Sequence, residues 1–242
     1  MANEDEQGSW SHRLSADRSE ILDSADRYAR AELYPLSERM DAEEWWPSDI
    51  MQRLGQAGYL GITTPSQLGG LDSDVFTAGL IAQAFARWNH ALALSWVVHE
   101  NLCLNNILAN ANDEQRARFL PRLCSGEWIG ALGLTEPGAG SDALGSMRTT
   151  ARRDGDDYVL NGTKIFITNG PVADVVLVYA KTDPAAGPKG ISAFVVETST
   201  PGFGVAQKLE KMGWRGSQTG ELVFDECRVP AANRLRSEER RE

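Results

Sequence analysis

The chain has 242 residues, of which 42% are hydrophobic and 24% charged, and its formal net charge at pH 7 is −10. This length and composition are typical of one or two domains with a sizeable buried core. The acidic charge argues against nucleic acid or an anionic membrane surface as a partner, because both require a basic face on the protein.

The first part of the chain predicts α-helices. Apolar residues recur at helical spacing over 21–33, and Pro35 is expected to end that helix. A second helix is expected to begin near Pro47 and to bury one face. The residues predicted on that face are Ile50, Leu54 and Ala57. The Gly/Pro-rich segment 61–70 then predicts a loop.

Two further helices are expected over 75–88 and 91–109. The second is apolar on nearly every face, which predicts a buried helix of a bundle. Asn112 followed by Gln115 has the spacing of a capping box at the start of the next helix. Pro121 is expected to kink or restart that helix.

At about Trp128 the helical pattern gives way to short apolar segments that predict β-strands. The Asp154-Gly155 and Asn161-Gly162 pairs predict hairpin turns between them. The predicted strands are WIGALGLT, MRTTAR, DYVL, KIFIT, DVVLVYA, ISAFVV and ELVFDECRV. The fold class is therefore α+β, with an N-terminal α-helical bundle followed by an antiparallel β-barrel or sandwich domain. The predicted ranges are 1–126 for the helical domain, 127–235 for the β domain and 236–242 for a charged tail.

Cysteine and histidine usage indicates neither a disulfide framework nor a metal site. The three cysteines are widely spaced and odd in number, which predicts reduced thiols in a cytoplasmic protein. The polar N-terminus has no apolar region of the kind found in secretory signals. His12, His90 and His99 lack metal-ligand spacing, and we interpret His90 and His99 as helix-surface or core residues.

The segment LGLTEPGAGSDA, residues 132–143, fits the dinucleotide fingerprint G-x-G-x-x-G/A at Gly138, Gly140 and Ala143. A Rossmann fingerprint must follow a strand and open a helix within a βαβ unit. Here hairpins are expected after the loop and no helix, so we reject that interpretation. The missing Cβ atoms of both glycines still allow backbone N–H groups to approach an anionic cofactor.

A helical bundle joined by this loop to a β domain resembles the acyl-CoA dehydrogenase flavoenzymes. The motifs that carry the resemblance are TEPGAGSD at 135–142, NGTKIFITNG at 161–170, PGF at 201–203, KMGWRGS at 211–217 and VPAANRL at 229–235. Further segments, including HENLC at 99–103 and GPVADVVLVYAKTD at 170–183, are similar to the isovaleryl-CoA dehydrogenase branch. That branch acts on short branched acyl-CoA thioesters.

The resemblance implies FAD as cofactor and α,β-desaturation of an acyl-CoA. A carboxylate removes the α-proton while the β-hydrogen leaves as hydride to the flavin. The implied cofactor-binding residues are Leu134, Thr135, Gly140, Ser141, Phe166, Ile167 and Thr168. Ser141 is also implied to contact the acyl-CoA, and Lys189 to reach the CoA phosphates. The family often has Trp at the position of Phe166.

Considered without the resemblance, several of these residues have ordinary structural interpretations. Phe166 is expected to be a core residue of an alternating strand, and Arg215 and Ser217 to be solvated loop residues. By resemblance, Glu136 is the carboxylate nearest the flavin loop but is not the base that the family uses, so it is expected to be structural. Glu100 and Glu127 have no better claim to that role.

The resemblance also implies a C-terminal helical domain that carries the catalytic glutamate, whereas this sequence departs from the family pattern at Arg236. We therefore expect no assignable general base, no activity from this polypeptide alone, and weak or absent FAD retention. It would then be part of a flavin dehydrogenase, either completed by another chain or truncated.

Two other functions remain open at this point. The first is a non-catalytic remnant or subunit that binds flavin or acyl-CoA, and the second is a relative with acyl-CoA oxidase or flavin monooxygenase chemistry. By resemblance, an electron-transfer flavoprotein is the expected electron acceptor. We also expect a homo-oligomer or a C-terminal partner chain.

Overall fold

A computed structural model describes residues 14–235. His12 and the predicted charged tail 236–242 lie outside the described residues. The helices and helical turns are α1 Ala16–Tyr28, a π-helical segment Ala29–Leu33, α2 Tyr34–Glu43, α3 Ile50–Gln56, a 3-10 turn Ser66–Leu68, α4 Val75–Trp88, α5 His90–Val97, a π-helical segment Val98–Leu104, α6 Asn105–Asn110, α7 Asp113–Cys124, α8 Ala143–Ser146, and 3-10 segments Gly170–Val172, Pro184–Gly190 and Ala231–Asn233.

Pro35 does not end the first helix, contrary to the sequence prediction. The π-helical segment Ala29–Leu33 precedes it, and Pro35 lies in the first turn of α2. The chain stays helical through this junction, where the Tyr34 N–H bonds to the Ala29 carbonyl five residues earlier, as in a π-helix. The helix ends instead at Glu44, whose backbone is left-handed with φ 52°.

The other helical predictions are mostly confirmed. The helix over 75–88 has the predicted bounds, and 91–109 lies within a continuous helical run that is largely buried. The capping box of α7 is present, with Asn112 and Gln115 bonded in both directions. Pro121 does not restart α7, since it lies in the last turn and removes only one hydrogen bond.

The helix predicted near Pro47 begins later, at Ile50, because Pro47 belongs to a preceding turn that accepts the Ile50 N–H. Ile50 and Leu54 are buried as predicted, whereas Ala57 is exposed beyond the end of α3. Buried aromatic rings hold the bundle together. Phe85 meets Trp96 edge-on, with 5.6 Å between ring centroids.

Within residues 14–235, eight strands form one sheet in the order β6-β7-β3-β2-β4-β5-β8, with β1 paired to β4. The strands are β1 Gly130–Gly133, β2 Thr150–Asp154, β3 Asp157–Thr168, β4 Val175–Lys181, β5 Ile191–Glu197, β6 Phe203–Lys208, β7 Thr219–Pro230 and β8 Arg234–Leu235. The sheet is mixed rather than purely antiparallel, because β1 runs parallel to β4 and β2 meets β4 at one parallel pair. The α+β fold class is otherwise confirmed.

The hairpin predicted at Asn161-Gly162 is absent. Both residues lie inside β3, which runs continuously beside β7 and shifts its register between Leu160 and Gly162. A Cβ built on Gly162 would lie 2.4 Å from the hydroxyl oxygen of Thr149, so this glycine permits a close packing of backbones rather than a turn. The predicted Asp154-Gly155 turn does join β2 to β3.

A helix does follow the glycine loop, contrary to expectation, but it is the single turn α8. The strand after it, β2, pairs antiparallel with β3. A βαβ unit requires a longer crossover helix and a parallel return strand. The Rossmann interpretation therefore remains rejected.

The helices and the sheet meet at a hydrogen-bonded seam formed by His99, Leu123, Gly130, Ser95 and Asn169. His99 Nδ1 accepts the Gly130 N–H at 3.0 Å, and Nε2 donates to the Leu123 carbonyl at 3.0 Å. Burial lowers the pKa of His99 to about 4, which keeps the ring neutral. The Asn169 amide donates to the carbonyls of Ser95 and Gly130 at 2.8 and 3.2 Å.

These positions confirm His99 as a core residue, while His90 lies exposed on the helix surface. All three cysteines are buried free thiols. Among residues 14–235, no helix is both long enough and apolar enough to cross a membrane.

Candidate functional site

The glycine loop leaves β1 and closes into a tight turn. The N–H and carbonyl groups of Glu136 and Ala139 bond to each other in both directions at 3.0 Å, with Pro137-Gly138 at the tip. A Cβ on Gly138 or Gly140 would meet no atom within 4 Å. Packing inside the chain therefore does not require these glycines, and the open space before them suits a closely approaching ligand.

A buried ion pair fixes this turn to β3. Lys164 Nζ lies 2.8 Å from Glu136 Oε1 and donates to the Leu134 carbonyl at 3.1 Å. Glu136 also accepts the N–H groups of Arg148 and Thr149 at 2.6 and 3.0 Å. The side chains of Lys164 and Glu136 are 0% and 4% exposed. The loop is thus anchored from both of its ends.

The environment of Glu136 makes it an unsuitable proton acceptor. Burial alone would raise the pKa of Glu136, but the hydrogen bonds from Lys164, Thr149 and Arg148 outweigh burial and hold it below the usual value. Burial lowers the pKa of Lys164, and Glu136 offsets part of that effect. These contacts support the structural role expected for Glu136.

Leu134 and Thr135 lie beside β3, half-buried. The carbonyl oxygen of each is already engaged, that of Leu134 by Lys164 and that of Thr135 by the Ile165 N–H at 2.9 Å. Within residues 14–235 the Thr135 hydroxyl makes no hydrogen bond. The Thr135 hydroxyl is therefore the uncommitted polar side-chain group that this pair offers to a ligand.

Phe166 is exposed, and the interpretation of Phe166 as a core residue is wrong. Its ring is 66% accessible, and its backbone has φ 61°, a left-handed conformation that is rare for an aromatic residue. The cause is a bulge in β3, where the register with β7 shifts between Lys164 and Ile167. The bulge turns a flat apolar ring out of the sheet, and such strained residues cluster at functional sites.

The next two residues have different environments. The Ile167 side chain is buried in the core of the sheet. Thr168 is half-buried, and its hydroxyl makes no hydrogen bond to any residue of the described part. Thr135, Phe166 and Thr168 thus supply an exposed ring and two uncommitted hydroxyls on neighbouring segments. A planar ligand with polar edge atoms fits this set.

Ser141 and Lys189 belong to two different places. Ser141 is exposed between the glycine turn and α8. Lys189 lies on the β4–β5 connection, which packs beside α8, and it lines a separate recess with Arg153 and Arg234. The structure records no contact between Ser141 and Lys189.

Neither of the other two carboxylates considered from the sequence is placed to act as a base. Glu100 is buried and accepts the N–H groups of Gly61 and Ile62 at 3.0 and 2.6 Å. Burial raises the pKa of Glu100 to about 7, although those hydrogen bonds oppose the rise. Glu127 lies at the surface, 3.6 Å from Arg122. Within the described residues, no cluster of His, Cys, Asp or Glu could hold a metal ion.

Arg215 and Ser217 are not solvated loop residues, as the sequence had suggested. Ser217 is fully buried, and its hydroxyl oxygen accepts a hydrogen bond from Ser95 Oγ at 3.2 Å. Arg215 donates to the Asp41 carbonyl at 2.8 Å and pairs with Glu44 at 3.1 Å. Both residues fasten the β6–β7 connection to the helices.

Sequence reasoning did not single out Lys164 or Asn169. The lysine of the apolar segment KIFIT could have indicated a buried ion pair, because a lysine that is buried in a strand requires an acidic partner. Asn169 has φ 65°, which its short polar side chain tolerates. Its role at the seam depends on two carbonyls that are distant in sequence.

The comparison with known families agrees with the geometry of the loop and strand. The model of the acyl-CoA dehydrogenase N-terminal domain matches residues 15–127, and that of the middle domain matches residues 131–227. The chain belongs to the acyl-CoA dehydrogenase family, whose members are oxidoreductases that act on CH–CH bonds. The resemblance inferred from the motifs is confirmed, while the predicted boundary at 126/127 stays a prediction.

Individual relatives span more than this chain. The mitochondrial isovaleryl-CoA dehydrogenase of Pongo abelii is 43% identical over 226 residues, covering 92% of this chain and 53% of that protein. A chain solved in work on the electron transferring flavoprotein of Acidaminococcus fermentans superposes with TM-score 0.89 and 38% identity, covering 93% of this chain and 59% of that chain. A Mycobacterium smegmatis glutaryl-CoA dehydrogenase in complex with FADH2 superposes with TM-score 0.85 and 36% identity, covering 93% of this chain and 56% of that chain. The chain spans about half the length of the curated relatives it matches.

Proposed function

We propose that this chain forms the flavin-binding part of an FAD-dependent acyl-CoA dehydrogenase that acts on short branched acyl-CoA thioesters such as isovaleryl-CoA. Family membership and the 43% identity to an isovaleryl-CoA dehydrogenase support the reaction class and the substrate. The observation that carries the proposal is the exposed ring of Phe166 at a strained bulge, next to the uncommitted hydroxyls of Thr135 and Thr168.

The residues present fit FAD. The Phe166 ring offers a flat apolar wall for a ring system, and the two hydroxyls offer hydrogen bonds to its polar edge. Gly138 and Gly140 leave room for a phosphate group to approach backbone N–H groups, with Ser141 as a further donor. When bound, FAD supplies the acceptor for the hydride that leaves the substrate.

The chain's own residues contribute position rather than proton transfer. The Lys164–Glu136 pair holds the glycine turn against β3, which sets the distance between Thr135 and Phe166. Glu136 is committed to that pair and Glu100 to two backbone N–H groups. We propose that the carboxylate that removes the α-proton is not among residues 14–235.

Titration with FAD tests the cofactor site. We expect Phe166→Ala and Thr168→Val each to weaken FAD binding by roughly tenfold, the range of one aromatic contact or one hydrogen bond in a site. Flavin fluorescence quenching is the readout, and Val205→Ala is the control because Val205 is an exposed apolar strand residue at another place. Equal FAD affinity of the control and both variants would overturn the assignment of the site.

Turnover of isovaleryl-CoA with an artificial electron acceptor tests the catalytic part. We expect no turnover from the purified 242-residue chain, because the carboxylates of Glu136 and Glu100 are engaged in structural contacts. Measurable turnover would place the base among these residues and contradict the proposal. The same preparation's visible spectrum reports how much flavin is retained.

We further propose an electron-transfer flavoprotein as acceptor, supported only by the structural likeness to a chain from the Acidaminococcus fermentans work. Assembly as a homo-oligomer or with a C-terminal partner chain also remains a proposal, which sedimentation analysis can test. We also propose a cytoplasmic location, which the buried free thiols favour. Cell fractionation decides it, since the Pongo abelii relative is named as mitochondrial.

A further inference from the structure

The residue that follows Thr168 joins the candidate flavin site to the helices. The side-chain amide of Asn169 donates to the Ser95 carbonyl of α5 at 2.8 Å and to the Gly130 carbonyl of β1 at 3.2 Å. Its backbone N–H donates to the Gln218 carbonyl at 2.7 Å. One residue at the end of β3 is therefore bonded to a helix, to the strand that leads into the glycine turn and to the chain that enters β7.

These bonds close into a buried circuit formed by Ser95, Asn169, Ser217 and Gln218. Ser95 contacts the end of β3 through its carbonyl and the β6–β7 connection through its hydroxyl, which donates to Ser217 Oγ at 3.2 Å. Ser95, Asn169 and Ser217 are 0% exposed, and Gln218 is 5% exposed. Breaking one of these bonds leaves a polar group away from water, which costs more than the bond itself contributes.

The contribution of the Asn169 side chain can be separated from that of its backbone. The backbone is left-handed with φ 65°, a region that asparagine and glycine adopt more readily than most residues. Both side-chain bonds use the amide nitrogen, because both partners are carbonyl oxygens that require a donor. Glycine at this position keeps the backbone conformation and loses both bonds.

Thr168 takes its position from this circuit. It pairs with Thr219 of β7, while the β3–β7 register shifts just before it, between Lys164 and Ile167. The short stretch beyond the bulge is thus held at its far end by Asn169. Threonine is β-branched and has few accessible χ1 rotamers, so a displacement of its backbone moves the hydroxyl with it. Hydrogen bonds weaken when donor and acceptor move apart by a few tenths of an ångström, on the order of the observed spread in their lengths.

We propose that Asn169 is a positioning residue for FAD binding, which fixes the Thr168 hydroxyl relative to the flavin through this buried circuit. The inference rests on the proposed function, in which Thr168 bonds to the polar edge of FAD. It adds that the position of α5 sets the geometry of a contact made by the sheet. Tight FAD binding then requires that the helices and the sheet are assembled.

A double-mutant cycle in FAD affinity tests this role. Asn169→Gly should weaken FAD binding by roughly three- to tenfold, and no more than Thr168→Val does, as for loss of one hydrogen bond. In the Thr168→Val background the same change should add less than about twofold, because the hydroxyl that Asn169 positions is already absent. Flavin fluorescence quenching by the 242-residue chain is the readout, at a temperature where each variant is folded by urea unfolding.

The matched control is Gln115→Ala. Gln115 also uses a side-chain amide to bond two carbonyls across the helix–sheet boundary, those of Ala232 and Arg234 at 2.6 and 2.9 Å. None of these three residues belongs to the glycine turn or to the Phe166 surface. Gln115→Ala should lower the midpoint of urea unfolding, as Asn169→Gly does, and leave the FAD affinity unchanged.

Ser217→Ala is the second variant, and it serves if Asn169→Gly does not fold. It removes one hydroxyl of the circuit without changing the backbone conformation, and it should weaken FAD binding by about two- to threefold when Thr168 is present. In the Thr168→Val background it should have no effect.

Additive effects on FAD affinity in the Thr168→Val background would show that the circuit only supports the fold, and would overturn the inference. Equal weakening of FAD binding by Gln115→Ala would overturn it as well. If Phe166→Ala weakens FAD binding while Asn169→Gly and Ser217→Ala do not, the proposed function stands and this inference is wrong. A wild-type chain that does not bind FAD would overturn both.

Discussion

Replacing Lys164 by methionine should strongly destabilise the protein, because Lys164 is a buried cation of β3 that is paired with Glu136. The Lys164 side chain is 0% exposed and its partner Glu136 is 4% exposed. Methionine has a similar volume but leaves the Glu136 carboxylate buried with only two backbone N–H donors. Removing one partner of a buried ion pair costs about 3–5 kcal/mol, because the other charge remains in a poorly polarisable environment.

Urea unfolding followed by tryptophan fluorescence measures this loss. The comparison variant is Arg228→Met, which removes the exposed ion pairs of Arg228 with Asp154 and Asp157, and it should destabilise the protein far less than Lys164→Met does. In Lys164→Met/Glu136→Gln no buried charge remains, so its loss should be well below the sum of the single losses. Additive losses, or a Lys164→Met protein as stable as Arg228→Met, would refute the reasoning.

Three further predictions concern titration and backbone strain. Burial raises the pKa of Glu100 to about 7, so its stabilising contribution is complete below pH 4.5 and lost as pH rises through 7. The free energy of unfolding of Glu100→Gln should therefore rise relative to that of wild type by about 2–3 kcal/mol between pH 5 and pH 8. Urea unfolding of both proteins at each pH measures this difference. His99, with a pKa of about 4, acts in the opposite direction and loses stability as pH falls from 6.5, so the wild-type profile alone is no test. Gly162→Ala should lower the free energy of unfolding by about 1–3 kcal/mol, because the φ of Gly162 is 150° and a Cβ would lie 2.4 Å from a hydroxyl oxygen. Gly138→Ala should change thermal stability little, because a Cβ there meets no atom within 4 Å. Equal melting temperatures of the two variants would contradict this expectation. Phe166→Gly should raise the free energy of unfolding by up to about 1 kcal/mol, because glycine adopts a φ of 61° without strain, and it should weaken FAD binding. A variant that loses both stability and FAD affinity would contradict the assignment of a strained functional bulge.

The sequence predicted the order of helices and strands well because most of that information is local. Periodicity located 75–88, and the Asn112–Gln115 spacing located the start of α7. Asn161-Gly162 failed for a non-local reason. Its glycine is needed where the neighbouring segment packs closely against β3, and a dipeptide typical of turns gives no indication of that contact.

The candidate site was predictable in its motifs and not in its geometry. The glycine turn and the Phe166–Thr168 strand were both singled out from the sequence, and the structure brings them together through the Ile165–Thr135 hydrogen bond. Alternation along β3 predicted a buried Phe166, because a bulge that shifts the register by one residue leaves no mark in the pattern. Lys164 was missed since its acidic partner lies on another segment.

The seam between helices and sheet has a consequence for how the molecule comes apart. His99 of the helices accepts the Gly130 N–H, and Asn169 of the sheet part donates to the Ser95 carbonyl, so separating the helices from the sheet breaks both hydrogen bonds and exposes this buried surface to water. The predicted cut at 126/127 would separate His99 from Gly130. The two halves should therefore unfold as one cooperative unit. A fragment of either half would expose to solvent the polar surface that its counterpart covers.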